Sequence, residues 1–215
     1  SHGESSMKAF IHRIEQSKNF KWILFGLRAF AENFVETGSM RTKSKFDIGP
    51  VTTIISNNFV DNWRFRLSGR TTANLCNHFF WNGYYGTKSK NHYYGSEFTY
   101  SLNAKKNVPF EFPQRNIIFE TGYDVMSPAD KFLIHNKDNM FMSFRTQKVD
   151  QMYFYNRQKL SFVYETDWGL SFHTSLNAES NEPTGDLAFI KMPGATLNPA
   201  PDGNEYVRKI RTTEA

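Results

Sequence analysis

From Phe46 onward, the chain follows a period of two in which apolar and polar residues alternate. The clearest segment runs from Trp63 to Leu75, where one set of alternate positions is apolar and the other carries Arg64, Arg66 and Arg70. Successive side chains of a strand point to opposite faces, whereas a helix would scatter the same residues around its axis. The pattern therefore predicts a strand of about thirteen residues with an apolar face and a basic face.

The same period of two recurs further along the chain and predicts about eight strands in all. Four segments repeat it clearly: residues 94–103, 117–125, 160–168 and 170–178. Three fit it more weakly: residues 46–56, 78–85 and 140–146. Tight turns are predicted at Lys88–Asn91 and Asp167–Gly169, and longer loops at residues 105–115 and 127–139. The fold class predicted is all-β, an antiparallel up-and-down meander, because no long helices separate the strands as in βαβ units.

The first forty residues have a different pattern. Apolar residues between Ile11 and Phe34 recur at helical spacings with charged residues between them, and Gly38 supplies a stop signal. We expect an N-terminal amphipathic helix that lies either on a membrane surface or against its own protein. The division of the chain is therefore a helical or linker segment at 1–40, a strand region at 41–192, and a proline-containing loop leading into a further strand at 193–215.

Composition changes the interpretation of these strands. Aromatic residues make up 16% of the 215 residues, while hydrophobic residues reach only 39%. A compact soluble core is usually built from Leu, Ile and Val, so this balance better suits strands with one aromatic face and one wet face. The net charge of +5 permits nucleic acid or anionic lipid as a partner. A solvated surface of mixed charge is the plainer interpretation, and we expect no nucleic acid partner.

Three features favour an outer-membrane β-barrel, of which strands 41–192 would form part. The strands are long, their polar faces are charged, and their apolar faces are aromatic. The charges expected to face the barrel lumen are Arg64, Arg66, Arg70, Glu97, Glu120 and Glu165. The aromatics expected at the membrane interface are Trp63, Trp81 and Trp168, with Tyr84, Tyr93, Tyr94 and Tyr123 beside them.

Five stretches of the chain resemble the DUF5686 family of Bacteroidota, whose members are labelled carboxypeptidase-like regulatory domain-containing proteins. They are residues 46–50 (FDIGP), 65–72 (FRLSGRTT), 84–88 (YYGTK), 92–97 (HYYGSE) and 107–113 (NVPFEFP). The resemblance covers about residues 20–215 and implies a large outer-membrane protein with an Ig-like module followed by a membrane barrel. It implies outer-membrane lipid and the remainder of the parent barrel as partners. The chain would then be an internal fragment, which fits the lack of a signal peptide at its start.

No catalytic, cofactor or metal site is predicted, and we expect a protein that is not an enzyme. Cys76 is the single cysteine, and the six histidines have no tight ligand spacing. Asp124, Glu120, Glu165 and Asp167 could in principle supply a glycosidase-type carboxylate pair, but pairing with lumen cations is the favoured interpretation. The competing hypotheses are a soluble β-sandwich or open barrel that binds a carbohydrate-type ligand through exposed aromatics, and a hydrolase as the family label suggests.

Overall fold

The structure is a computed structural model that describes residues 18–38, 42–58, 62–88, 91–103, 107–128, 151–185, 187–190 and 206–215. Within these ranges there is one α-helix, α1, which spans Lys18–Glu32, and a single turn of 3₁₀ helix at Val51–Thr53. The strands are β1 (Val35–Glu36), β2 (Phe46–Ile48), β3 (Ile55–Asn58), β4 (Asn62–Thr71), β5 (Phe79–Lys88), β6 (Asn91–Ser101), β7 (Arg115–Met126), β8 (Gln151–Glu165), β9 (Ser171–Gly185), β10 (Phe189–Ile190), β11 (Tyr206–Val207) and β12 (Ile210–Glu214).

The strands form one large antiparallel sheet in the order β1-β2-β4-β5-β6-β7-β8-β9-β12, with β3 also paired to β4. β10 and β11 pair separately. From β4 to β9, each strand is bonded to its neighbour in the chain, which confirms the all-β antiparallel up-and-down meander predicted from the sequence. Within the described ranges, the two ends of this sheet do not pair with one another, so the described sheet is open.

Several predicted strand bounds were wrong. The weak segment at 46–56 is not one strand, because the 3₁₀ turn at Val51–Thr53 separates β2 from β3. The strand predicted to continue to Leu75 ends at Thr71, because residues 73–75 form a turn. β8 begins at Gln151, nine residues before its predicted start, and β9 continues seven residues beyond its predicted end. The strand predicted at 140–146 and the residues before Lys18 lie outside the described residues.

The turn between β8 and β9 is at the position predicted from Asp167–Gly169. Thr166 N–H donates to the Leu170 carbonyl at 2.8 Å, and Leu170 N–H donates to Thr166 Oγ1 at 2.9 Å. Gly169 has a φ of +96°, a left-handed conformation that glycine adopts without steric strain. These contacts reverse the chain within five residues and set β8 directly against β9.

The sheet curls towards the face that carries Arg64. In a flat sheet, β4 and β7 would lie about 14 Å apart, three strand spacings of about 4.8 Å. Arg64 on β4 nevertheless contacts Asp124 on β7 at 2.7 Å, so the intervening strands bend and the side chains converge. Gly95 and Gly122, register partners on β6 and β7, lie on this concave side. Residues without side chains at these positions let the strands approach and curve.

Among the described residues, no helix is long and apolar enough to cross a membrane.

Candidate functional site

The two faces of the sheet differ in chemistry and in burial. We call the concave side the inner face; on β4 it carries Arg64 and Arg66, which are buried although they are charged. The other side, the outer face, carries Trp63, Phe65 and Leu67 on the same strand, and all three are exposed. The arrangement is the reverse of a soluble domain, in which apolar side chains fill the interior and charged side chains contact water.

A buried ion pair lies on the inner face, near the beginning of β4 and the end of β7. Arg64 Nη1 is 2.7 Å from Asp124 Oδ1 and Nη2 is 3.3 Å from Oδ2, so the pair is bidentate. The side chains of Arg64 and Asp124 are 1% and 0% exposed. Burying two charges is expensive unless their geometry is good and further hydrogen bonds satisfy the remaining lone pairs. Asp124 meets this condition, because it also accepts bonds from Tyr84 Oη at 2.6 Å and from the Val125 N–H at 2.6 Å.

An aromatic ring lies against the guanidinium of each of Arg64 and Arg66 on β4. The Arg66 guanidinium lies 3.6 Å from the ring centroid of Tyr84, and that of Arg64 lies 5.1 Å from the centroid of Tyr93. Both distances are within the range of cation–π attraction. We call Arg64, Arg66, Tyr84, Tyr93 and Asp124 the Arg–Asp–Tyr cluster. It joins four neighbouring strands, β4 to β7, through side chains alone.

A row of charged residues crosses the inner face beside this cluster. Successive register pairs place Asp47, Arg70, Glu97, Glu120 and Lys159 on one line across the sheet, with Asn82 between Arg70 and Glu97. We call these five the charged row. Arg70 Nε contacts Asp47 Oδ2 at 3.2 Å. Glu97 and Glu120 are directly opposite one another, which is unfavourable for like charges, and Lys159 stands next to Glu120 as the compensating cation.

An open cavity of about 560 Å³ is lined by Arg66 and Tyr84 of the cluster and by four members of the charged row, all except Lys159. Its lining includes the cations Arg66, Arg70 and Arg157 and the anions Asp47, Glu97 and Glu120, so it has equal numbers of each charge. Residues 107–110 of the loop between β6 and β7 also line it. That loop is tied to the sheet by Asn116, whose side chain donates to the Pro109 carbonyl at 2.6 Å.

The structure brings together five of the six charges predicted to share one face. Arg64, Arg66, Arg70, Glu97 and Glu120 all lie on the inner face, in the cluster or the charged row. Glu165 is at the far end of β8, where its Oε2 accepts a bond from the Gln114 N–H at 2.8 Å. It does not line the cavity. Glu165 therefore holds the end of β7 to β8 and takes no part in the cluster.

The predicted interface aromatics are divided among three environments. Trp63 is exposed on the outer face, and Trp81 stacks on Phe46 with ring centroids 5.7 Å apart. Trp168 lies in the turn between β8 and β9 and is 76% exposed, not on a strand. Tyr84 and Tyr93, placed with the interface aromatics from the sequence, are instead members of the inner cluster. That grouping was wrong because proximity to a strand end says nothing about which face a side chain occupies.

Tyr84 was not among the predicted lumen residues, although it is central to the buried network, whereas Asp124 was among the carboxylates expected to pair with lumen cations. Asp124 follows Glu120 and Gly122 at alternate positions of β7, so the period of two already placed it on the charged face. For Tyr84 the signal was its register, because it lies opposite Gly95 and its ring covers the space that a Cβ there would fill. Register between strands is not visible in one sequence.

The carboxylates considered for acid–base chemistry do not converge. Asp124 is bound by the cluster, while Asp167 pairs with Arg115 at 3.1 Å at the opposite end of β7 and β8. Glu165 lies ten residues along β8 from Tyr155, the register partner of Asp124, which is about 34 Å of strand. A glycosidase needs its two carboxyl groups within about 10 Å. Cys76 lies beyond the end of β4 and is partly buried. Among the described residues, no three side chains of His, Cys, Asp or Glu are grouped to hold a metal.

No protein-family model, curated protein or solved structure matches the chain. The resemblance to the DUF5686 family, based on the five stretches quoted above, therefore stays a prediction.

Proposed function

We propose that the chain is part of an outer-membrane β-barrel with a structural, assembly or transport role and no catalytic activity. The observation that carries this proposal is the reversed burial of the sheet. Phe65 and Leu67 are 65% and 67% exposed on the outer face, whereas Arg66 between them in the sequence is 9% exposed and Arg64 before them is 1% exposed. Lipid acyl chains are the surroundings in which such an outer face is stable.

The size of the outer apolar surface supports lipid as the partner. Exposed apolar or aromatic side chains occur on the outer face of every strand from β4 to β9, among them Leu67, Tyr85, Tyr100, Phe119 and Leu176. Monomeric soluble proteins rarely expose a contiguous apolar patch larger than a few hundred Å². In the barrel that we propose, the inner face would line the lumen and the outer face would contact outer-membrane lipid.

The curvature of the sheet supports closure into a barrel. Strands β4 to β7 already bend enough for Arg64 to reach Asp124. Further strands from the remainder of the parent barrel would continue the same curvature, and this agrees with the predicted resemblance to a large outer-membrane protein. Closure also removes the unpaired edges that an open sheet would present to lipid.

The helix α1 fits a position at the membrane surface. Its described apolar side chains are largely exposed, including Trp22, Ile23 and Leu27, and its sequence carries Lys18, Lys21 and Arg28 between the apolar residues. A helix with an exposed aromatic and aliphatic face and basic residues is typical of one lying in the headgroup region. We include this interfacial position in the proposal.

Detergent dependence of the full-length protein tests the proposal. We expect it to need detergent or lipid for a monodisperse folded state and to migrate differently on a gel before and after heating. A protein that is monodisperse in plain buffer, with outer-face side chains such as Phe65 shielded from an aqueous quencher, would contradict a lipid-facing sheet.

A soluble open barrel that binds a carbohydrate-type ligand is the second candidate, and the cavity favours it. A volume of about 560 Å³ lined by Asn82, Asn107, Glu97 and arginines suits a polar ligand of small or moderate size. This candidate predicts saturable binding of an oligosaccharide in detergent-free buffer. It leaves the exposed outer face without an explanation, and we therefore place it second.

A further inference from the structure

The apolar residues of the outer face do not follow the register of the sheet. One row of register partners begins with Leu67, Tyr85, Tyr94 and Tyr123 on β4 to β7 and continues with polar Asn156 and Ser180 on β8 and β9. Along one line perpendicular to the strands, the outer face thus changes from apolar to polar between β7 and β8.

A second row changes in the opposite sense. It begins with polar Thr71 on β4. Thr71 lies opposite Trp81, whose backbone N–H donates a hydrogen bond to Thr71 Oγ1. It then remains apolar to β9, through Trp81, Phe98, Phe119, Leu160 and Leu176. The apolar surface, which we call the apolar band, therefore runs diagonally across the sheet.

The displacement of the band can be expressed in residues. On β4, the edge of the apolar band nearest the beginning of the strand lies at Trp63. On β9, the same edge lies at Leu176, and the register row of Leu176 meets β4 at about Thr71. The boundary has moved eight positions along the strand in the five steps from β4 to β9. In a barrel, strands are spaced about 4.8 Å apart and are tilted by about 40° from the barrel axis. A plane parallel to the membrane therefore crosses each strand about 1.2 residues further along than it crosses the strand before, which amounts to about six residues over five steps. The two displacements are similar in size.

The end of β8 beyond the band is packed as an ordinary protein interior. Met152 and Phe154 lie on the same side of β8 as Leu160, yet Met152 is buried and Phe154 is partly buried. Met152 belongs to a small core with Val125 and Tyr93, and Phe154 packs against that core. Tyr93 lies just beyond the last register pair of β6 with β7, and its ring, which contacts Arg64, also stacks on Tyr123 and Phe154. The outer-side apolar residues at this end contact protein, whereas Leu160 and Phe162 within the band are exposed.

From these observations we infer that the bilayer crosses the sheet along the apolar band, so that residues 151–158 of β8 and 178–185 of β9 stand outside the hydrocarbon. This inference rests on the proposed barrel and specifies which part of it contacts acyl chains. From Leu176 to Gly185 the strand continues for nine residues, about 30 Å, which at a tilt of about 40° would raise the end of the hairpin about 23 Å above the band. A flat soluble sheet gives no reason for a diagonal boundary.

Site-directed labelling in bilayers tests the inference. In a Cys76→Ser background, single cysteines replace Tyr94, Asn156, Leu160 or Ser180, and a fluorophore is attached to each. The full-length protein is placed in phosphatidylcholine vesicles and treated with a quencher on the lipid acyl chain or with aqueous iodide. We expect the lipid quencher to act several-fold more strongly on the labels at 94 and 160 than on those at 156 and 180, and iodide to show the reverse order.

Tyr94 and Asn156 form the critical pair because they lie in one register row. If the lipid quencher acts equally on both labels, the band is not diagonal and the inference is overturned, while a lipid-facing sheet is retained. If the lipid quencher acts on neither the label at 94 nor that at 160, the proposed barrel fails together with the inference. Heat modifiability of each labelled protein shows that it has folded before quenching is compared.

Discussion

The inner and outer faces of the sheet are formed by the same strands and hold opposite chemistry. On β4, Arg64 and Arg66 are buried against aromatic rings and a carboxylate, while Phe65 and Leu67, which alternate with them, are exposed. Several inner charges have specific partners at fixed distances, such as the 2.7 Å contact of Arg64 with Asp124 and the 3.2 Å contact of Arg70 with Asp47. The outer residues contact one another through ring pairs such as Phe98 with Phe119, and they leave most of their apolar surface exposed.

This difference teaches that the two faces depend on different sources of stability. The inner face depends on particular pairs of side chains. Removing one side chain should therefore lower stability strongly at one position and only slightly at the next. The outer face depends on its surroundings, so a substitution there should matter only in lipid. Mutations on the two faces can therefore separate a membrane barrel from a soluble sheet.

The largest effect is expected for Asp124→Ala, which removes the carboxylate that pairs with buried Arg64. Breaking a buried ion pair by removing one partner destabilises a protein by about 3–5 kcal/mol. Urea unfolding of the full-length protein in vesicles measures this change. A loss below about 1 kcal/mol would show that the buried pair does not hold β4 to β7 together.

The outer face is tested by Leu67→Arg. An arginine that faces lipid near the middle of the bilayer destabilises a barrel by about 2–4 kcal/mol, whereas on a solvated surface the change would be within about 0.5 kcal/mol. The measurement is again unfolding in vesicles. Asn156→Arg is the matched control, because it lies in the same register row but outside the apolar band. If the two substitutions lowered the free energy of unfolding equally, the apolar band would not differ from residues 151–158 and 178–185 in its contact with lipid.

Arg66→Glu should also lower stability, by about 2–3 kcal/mol. It removes the cation–π contact with Tyr84, worth about 2 kcal/mol when desolvated, and places a second carboxylate near Asp124. We expect the heat-modifiable gel band to convert to its unfolded form at a lower temperature. An unchanged conversion temperature would exclude a stabilising role for Arg66.

Tyr84→Phe removes one hydroxyl and keeps the ring over Gly95 and under Arg66. The lost hydrogen bond has a charged acceptor, Asp124, and we expect a loss of about 1.5 kcal/mol. Unfolding of the double variant with Asp124→Ala provides the check. If Tyr84 acts through Asp124, Tyr84→Phe should lower the free energy of unfolding much less in the Asp124→Ala background than it does in the otherwise unchanged protein.

The smallest effect is expected for Asp167→Asn at the turn between β8 and β9. Asp167 is 81% exposed in its pair with Arg115, and exposed ion pairs contribute about 0–1 kcal/mol. The substitution is the matched control for Asp124, because both carboxylates contact an arginine. A loss as large as that of Asp124→Ala would mean that burial does not account for the difference between the two pairs.

Much of the fold was predictable because strands leave a local signal. The alternation at Trp63–Thr71 identified both β4 and its two faces, and the turn at Asp167–Gly169 was marked by its glycine. Where that local signal was interrupted, the prediction failed. The 3₁₀ turn at Val51–Thr53 follows Pro50 and divides a segment that otherwise alternates. The first nine residues of β8, Gln151–Lys159, were not predicted as strand because aromatic and polar residues occur on both of their faces, so they do not alternate.

The candidate site was predictable in part for the same reason. Arg64, Arg66, Arg70, Glu97 and Glu120 were assigned correctly to one face, since a side chain's face depends only on its position within its own strand. Which charges meet depends on register and curvature, and these are properties of several strands together. The pairing of Arg64 with Asp124 joins residues sixty positions apart, and Glu165 has the correct face but the wrong end of the sheet.

The ion pair between Arg64 and Asp124 joins two strands that are not neighbours in the sheet. β5 and β6 lie between β4 and β7, yet the guanidinium reaches the carboxylate at 2.7 Å. The backbone ladders fix the spacing of adjacent strands at about 4.8 Å, whereas this one side-chain contact fixes the distance across three such spacings. The pair therefore sets the radius to which this part of the sheet is bent.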